Sequence, residues 1–184
     1  MMAEVDPTVL GYHGTSSSMN ESILNEGFLF SKNIYDWLGD GIYFFQDGPQ
    51  RAWEWAVEHR GDNAAVVGAE IRLINCLDLL DTKWTTFLTE VYDNYIKYIK
   101  AADLVRPKQT SGAHRLDRDV INYAVGVLVQ QGIEIGCVRA VFIEGQQVFS
   151  DSALYGLAHV QIAVRQTDRC ISRAWLEKGI ESGR

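Results

Sequence analysis

From Thr82 to Ala101 apolar side chains recur at Trp84, Phe87, Leu88, Val91, Tyr95 and Tyr98, and from Asp117 at Val120, Ile121, Ala124, Val127 and Leu128. Both runs have the spacing of a helix with one buried stripe. The chain on either side has a different period. Before them stand β-forming strings around Leu10–His13, in GIYFF and in AAVVGAEIRLI; after them stand VRAVFIEG and HVQIAVR. In HVQIAVR, Val160, Ile162 and Val164 share one face of a strand, and His159, Gln161, Ala163 and Arg165 share the other. Strands split by a helical pair do not make a regular βαβ repeat. The pattern predicts an α+β domain with a mixed or antiparallel sheet.

Short helices punctuate the N-terminal strands. Ser16, Ser17 and Ser18 offer N-caps for a helix carrying Ile23 and Leu24, and Gly27 is placed to end it. Asp47 is expected to cap a second helix, with Pro49 in its first turn and Ala52, Trp53 and Ala56 within it. A polar loop with Pro107 and Gly112 separates the two central helices, and the tail after Ile171 is expected to be helical or frayed.

At 184 residues the chain has the size of one domain, read as 1–184, with 47% hydrophobic and 22% charged residues. Its net charge of −7 excludes a basic footprint over the whole surface, though not a local patch. No apolar run approaches a membrane span, and MMAEVDPTVL lacks the pattern of a secretory leader. The three cysteines, Cys76, Cys137 and Cys170, are far apart and odd in number. They read as reduced thiols in a cytoplasmic protein. With no CxxC pair and with His13, His59, His114 and His159 scattered, no metal site is expected.

The phosphate-loop and dinucleotide signatures are absent: LGDGIYFF holds only G-x-G, ahead of a strand. YHGT, Tyr12–Thr15, puts a histidine at a strand end beside a glycine that lets a ligand come close to the backbone. Alone the string favours a histidine satisfied in a turn.

The order YHGT, a helix ending in NEGF, an aromatic loop, GDGIYFF, then a helix with RAWEWA resembles the ADP-ribosyltransferase family, in the branch shared by diphtheria-type toxins and poly(ADP-ribose) polymerases. The resemblance runs from His13 to about Leu77 and again from about Val138 to Ile171. It leaves residues 78–136 as a helical insert. It implies two small, mostly antiparallel sheets forming an NAD cleft, with NAD as co-substrate and no metal. His13 would bond the adenosine ribose, Gly14 would hold the nicotinamide carboxamide through its backbone, Thr15 would join them in binding NAD, and Tyr43 would stack on the nicotinamide ring. The family's second aromatic falls at Glu54 here, between Trp53 and Trp55, so Trp53 is the candidate to replace it; its alternative role is packing.

The family's catalytic glutamate falls at Gln161, in Gln161-Ile-Ala-Val-Arg. A carboxylate there would stabilise the positive charge that develops as nicotinamide leaves and would help deprotonate an acceptor. Glutamine can orient a ribose hydroxyl but is neither charged nor a base. Transfer to a nitrogen nucleophile, such as a nucleobase amine, needs the least base assistance. Glu144 in AVFIEG is the main candidate for a substitute carboxylate, ahead of Asp151 and Asp119; its other reading is a strand-end acid facing solvent. Arg106, Lys108, His114, Arg115 and Arg118 cluster in sequence, and Arg115 and Arg118 are candidate phosphate contacts for RNA. The bland alternative is a solvated loop and helix start. Tyr92, Tyr95 and Tyr98 have the spacing of core residues more than of a base-stacking surface.

At a finer level FIEG, SALYG and HVQIAVRQTDRCI resemble a bacterial group of small ADP-ribosyltransferases, the messenger-RNA-modifying toxins of anti-phage toxin–antitoxin–chaperone systems. This implies RNA as acceptor, with an antitoxin and a SecB-like chaperone as partners. Two alternatives stand beside it: mono-ADP-ribosylation of a protein, and a non-catalytic module that binds NAD or ADP-ribose.

Overall fold

The computed structural model describes residues 6–110 and 113–177. Met1 to Val5 of the N-terminal string and the expected loop glycine Gly112 lie outside the described residues. Strand β1 (Thr8–Ser16) leads into helix α1 (Ser17–Glu26), which ends where Gly27 turns left-handed and its N–H reaches the Ile23 carbonyl at 3.0 Å. Strand β2 (Ile42–Gln46) leads into helix α2 (Pro49–Arg60), with Pro49 in the first turn. The N-cap is Gly48 and not Asp47, because Asp47 itself takes a left-handed φ of 50°. Strands β3 (Ala64–Arg72) and β4 (Cys76–Asp78) follow. Helix α3 (Thr82–Ala101) is capped by the Asp81 carboxylate, which accepts from the Lys83 N–H at 3.0 Å. A small hairpin, β5 (Gln109–Thr110) and β6 (Ala113–His114), precedes helix α4 (Arg115–Gln130). Strands β7 (Cys137–Phe142) and β8 (His159–Val164), the single turn α5 (Thr167–Cys170) and strand β9 (Ile171–Glu177) complete the fold.

The architecture is α+β, but the two small sheets implied by the resemblance are one seven-stranded sheet, ordered β4-β7-β8-β2-β1-β3-β9. Its pairings are antiparallel except β4 with β7. The tail expected to be helical or frayed is a strand from Ile171 to Glu177, with residues 178–184 outside the described residues: Ala174, Trp175 and Leu176 pair with Ala69, Gly68 and Val67 of β3. This explains why Ala64–Ala69 is apolar on both faces, since β3 is an interior strand and buried throughout that run.

One sheet face carries Ile42, Phe44, Ile71, Ile162 and Val164, all within 1% of full burial. The alternation in GIYFF requires this, and each such side chain contributes roughly 1.5–3 kcal/mol of transfer free energy. The other face carries Leu77, Val138 and Ala163 under Ile121, Val125 and Leu128 of α4. Helix α3 packs in turn on α4 through Tyr95, Ile99, Leu116 and Val120. Tyr95 is therefore core, while Tyr98 stays half exposed on the surface.

The α4 helix also clamps the loop that precedes β2. Asp40 accepts from Arg118 at 2.6 Å and from the Asn122 amide at 3.0 Å, and its N–H donates to the Asn122 carbonyl oxygen at 3.0 Å. Arg165, just past β8, donates to the Asp40 carbonyl at 2.7 Å. Gly39 is left-handed at φ 78°, and a Cβ there would stand 2.6 Å from Asn122 Oδ1. Gly61 is also left-handed but faces open space. Gly39→Ala is expected to cost about 2–4 kcal/mol, from backbone strain plus overpacking, against about 1 kcal/mol for Gly61→Ala. Urea denaturation of both variants checks this; equal costs would contradict the clamp.

Candidate active site

Strands β1 and β2 pair only at Gly11↔Gln46 and Tyr12↔Phe45. The next positions are pried apart by His13, whose Nδ1 lies 2.8 Å from the Tyr43 carbonyl oxygen. A carbonyl can only accept, so Nδ1 carries the proton and Nε2 presents a lone pair. Phe28 meets the imidazole edge-on at a centroid distance of 5.6 Å, and Phe44 packs at 5.7 Å. Burial pushes the His13 imidazole below its ordinary range, the bond to Tyr43 opposes this, and Arg60 adds to it. His13 is thus a neutral ring with a bare acceptor nitrogen.

Beyond Tyr12, β1 continues to pair with β3 through Ser16, but its β2-facing edge has no ladder partner among the described residues. The β2-facing side of this segment lies beside the imidazole, in a stretch where Gly14, Thr15 and Ser16 are buried. Gly14 lies on it. A Cβ at Gly14 would meet the Ala52 carbonyl oxygen and Trp55 Cε3, both at 2.8 Å, so glycine lets α2 press against this strand. Thr15 is 6% exposed and sits within the strand. Trp53 and Trp55 both pack on the group formed by Tyr12, Phe45, Ala52 and Val66, and Trp55 stacks on His59 at 4.2 Å. Packing is the role that this placement gives Trp53.

Tyr43 points away from the Ile42 and Phe44 face. Its hydroxyl donates to the Gly39 carbonyl at 2.7 Å and accepts from the Leu38 N–H at 2.8 Å. Burial, followed by the nearby Asp36 charge, pushes its phenol well above the ordinary range, so it stays protonated. Both hydroxyl functions are engaged by the loop, which leaves the ring face as the part of Tyr43 able to meet a ligand.

Gln161 lies opposite Phe45 of β2 and Ala140 of β7, on the same face as Tyr43. Trp37 Nε1–H donates to its Oε1 at 3.0 Å. An indole is only a donor, which fixes the amide orientation. The Gln161 amide nitrogen therefore donates to His159 Nε2, at 2.9 Å, and His159 Nδ1–H donates to the Leu157 carbonyl at 2.6 Å. Burial pushes the His159 imidazole down; Arg51 adds to this, while the Leu157 bond and Glu144 oppose it. A neutral His159 is what the chain of bonds requires. Two of the amide's four hydrogen-bonding positions remain for a ligand.

The side chains expected to act together are distributed as follows. His13 is joined to Tyr43 through the backbone, and Tyr43 and Gln161 share a face on neighbouring strands. Glu144 pairs with Arg51 at 3.2 Å, and Arg51 lies over the Phe45 ring at 5.3 Å. This carboxylate is therefore near His159 but tied to a cation at a half-exposed rim, where such a pair contributes about 0–1 kcal/mol. Asp151 is exposed, and Asp119 pairs with Arg118 at 3.1 Å. Arg118 is also bound to Asp40, so it serves as a structural clamp where a phosphate contact was expected. Arg115 is exposed.

Three residues that sequence reasoning did not single out belong to this site: Trp37, His159 and Arg51. Alternation in HVQIAVR already placed His159 beside Gln161. Nothing in the sequence pairs Trp37 with a residue so far along the chain. Among the described residues no group of His, Cys, Asp or Glu is arranged to hold a metal. No protein-family model matches the sequence, and no curated protein matches it.

Replacing Gln161 by glutamate would leave acceptors facing His159 Nε2, so the imidazole must bind a proton to keep the contact. The His159 pKa is expected to rise by about 1–3 units in Gln161→Glu, read from imidazole C–H shifts in an NMR titration; an unchanged pKa would contradict the bonding order. Because His13 and His159 have depressed values, the unfolded chain binds more protons below about pH 6.5, and stability falls as pH drops through that window. Buried Asp36, whose value is raised, acts in the opposite sense. His159→Gln should therefore flatten the acid loss of stability in denaturant titrations from pH 7 to 5, and an unchanged slope would rule the neutral imidazole out.

Proposed function

We propose that this chain is an NAD-consuming ADP-ribosyltransferase that modifies a nucleobase nitrogen of single-stranded RNA, acting as a toxin in phage defence. The observation that carries the reading is the end of the β1–β2 ladder at Tyr12, beside a neutral imidazole whose Nδ1 is bonded to the Tyr43 carbonyl and whose Nε2 carries a lone pair. Nε2 would accept a ribose hydroxyl. The Gly14 backbone would take the donor and acceptor of a carboxamide. The Tyr43 ring face would cover the nicotinamide, held by the loop on its hydroxyl.

Gln161 would orient the reacting ribose with its spare N–H and lone pair. The bond from the ribose carbon to nicotinamide breaks, the electron pair leaves with neutral nicotinamide, and the acceptor nitrogen attacks that carbon and then gives its proton to water. Gln161 is not a base, which favours a nitrogen nucleophile over a hydroxyl. The antitoxin and SecB-like chaperone rest on the resemblance alone, and a cytoplasmic setting on the odd, scattered cysteines; no helix among the described residues is long and apolar enough to cross a membrane.

One observation favours a second reading. Glu144 is engaged by Arg51 and Gln161 is neutral, an arrangement that suits a module binding NAD or ADP-ribose without turnover. Nicotinamide release separates the two. Wild-type protein with NAD and RNA should release nicotinamide, and His13→Ala and Tyr43→Ala should each lower that rate by at least about 100-fold while keeping native circular dichroism. Undiminished activity in both variants would overturn the site, and no release by the wild type with RNA or protein acceptors would favour the binding module.

A further inference from the structure

We propose that Cys76, Cys137 and Cys170 form a thiol site that a small hydroperoxide oxidises to an intramolecular disulfide. These are all the cysteines of the chain, and they are widely separated in sequence. The fold brings all three together. Cys76 of β4 is the register partner of Cys137 in β7. Cys137 and Cys170 are fully buried in one core group, and Cys76 packs against that group while remaining partly exposed. Cys137 neighbours both others, Cys76 across the β4–β7 pair and Cys170 within the same core group.

The approach of Cys170 is built in. A Cβ on Gly136 would stand 2.8 Å from Cys170 Sγ, so the glycine makes room for that sulfur. The Gly136 carbonyl also accepts from the N–H groups of Arg165 and Gln166, at 2.8 and 3.1 Å, which sets where α5 begins. The neighbouring Cys137 and the Ile74 backbone hold the Cys170 thiol below its usual range against the effect of burial. Three cysteines acting only as small apolar fillers have no reason to meet. Adjacent strands are about 4.8 Å apart, within the roughly 4.4–6.8 Å Cα separation that a disulfide spans.

Cys76 is the entry point because it alone is partly exposed. Its sulfur attacks the terminal peroxide oxygen. The O–O bond breaks, the departing alkoxide or hydroxide takes the thiol proton, and Cys76 becomes a sulfenic acid. The Cys137 sulfur then attacks Cys76 sulfur; the S–O bond breaks and hydroxide leaves as water with the Cys137 proton. The two thiols are oxidised by two electrons and the peroxide is reduced to an alcohol or water plus water. Attack of the Cys170 thiolate on Cys137 sulfur passes the bond inward and returns Cys76 to the thiol, which takes the Cys170 proton.

The test is hydrogen peroxide treatment of the full-length protein under native conditions, read by intact mass, thiol titration in denaturant and peptide mapping. Exposed Met19 reports that oxidant reached the protein. The expected result is loss of two hydrogens per chain, one titratable thiol where the reduced protein has three, and a bond joining Cys137 to Cys76 or Cys170. Cys76→Ser should slow disulfide formation by about tenfold or more, since the buried pair lacks an entry thiol. Three intact thiols alongside oxidised Met19, a sulfinic acid on Cys76 without a bond, or bonds only between chains would overturn the proposal. Equal rates in Cys76→Ser and wild type would overturn the entry role of Cys76.

Discussion

The hydrogen bond from His13 Nδ1 to the Tyr43 carbonyl stands where a backbone N–H would otherwise continue the β1–β2 ladder. A side chain in that place holds the two strands apart. It also fixes the tautomer, leaves Nε2 as an acceptor and ends the β1–β2 ladder at Tyr12. Strand β2 keeps its other edge on β8, so the register Tyr43↔Ala163 and Phe45↔Gln161 carries the opening across to Gln161. The site is thus a consequence of where one ladder stops and the next continues.

That opening depends on the helical insert. Helix α4 covers the second sheet face and its first half supplies Arg118 and Asn122 to Asp40, while Arg165 closes the same loop from just past β8. The loop then grips the Tyr43 hydroxyl. Charges that look available for phosphate in the sequence are in part committed to this clamp. Trp37, from the same loop, reaches Gln161 on one side and lines a cavity of about 500 Å³ between α3 and α4 on the other. The insert and the site are therefore mechanically one unit.

Local chemistry made much of this legible. Alternation in GIYFF and HVQIAVR placed Ile42, Phe44 and Ile162 in the core and put Tyr43 and Gln161 on the opposite faces of their strands. Gly27 and Pro49 marked helix ends as written. What failed was non-local. The β9 segment carries exposed Ser172 and Arg173 and does not alternate cleanly, because it is an edge strand with a shifted register near Glu70 and Ile71. The two-residue ladder that joins the sheet into one leaves no sequence mark. Neither does the meeting of Cys76, Cys137 and Cys170, nor the indole that fixes the Gln161 amide. Asp47 looked like a cap, but a left-handed turn there gives that place to Gly48.

The neutral amide at Gln161 is matched at both ends, by a donor in Trp37 and an acceptor in His159. Both bonds hold the amide in one orientation between its neighbours. The most direct measurement is mass spectrometry of single-stranded RNA and of a protein pool after separate incubation with this chain and NAD. ADP-ribosyl groups on RNA nucleobases, absent with His13→Ala, are the expected result. Unmodified RNA with ADP-ribose on protein alone, or no modification of either pool, would contradict RNA transfer at this site.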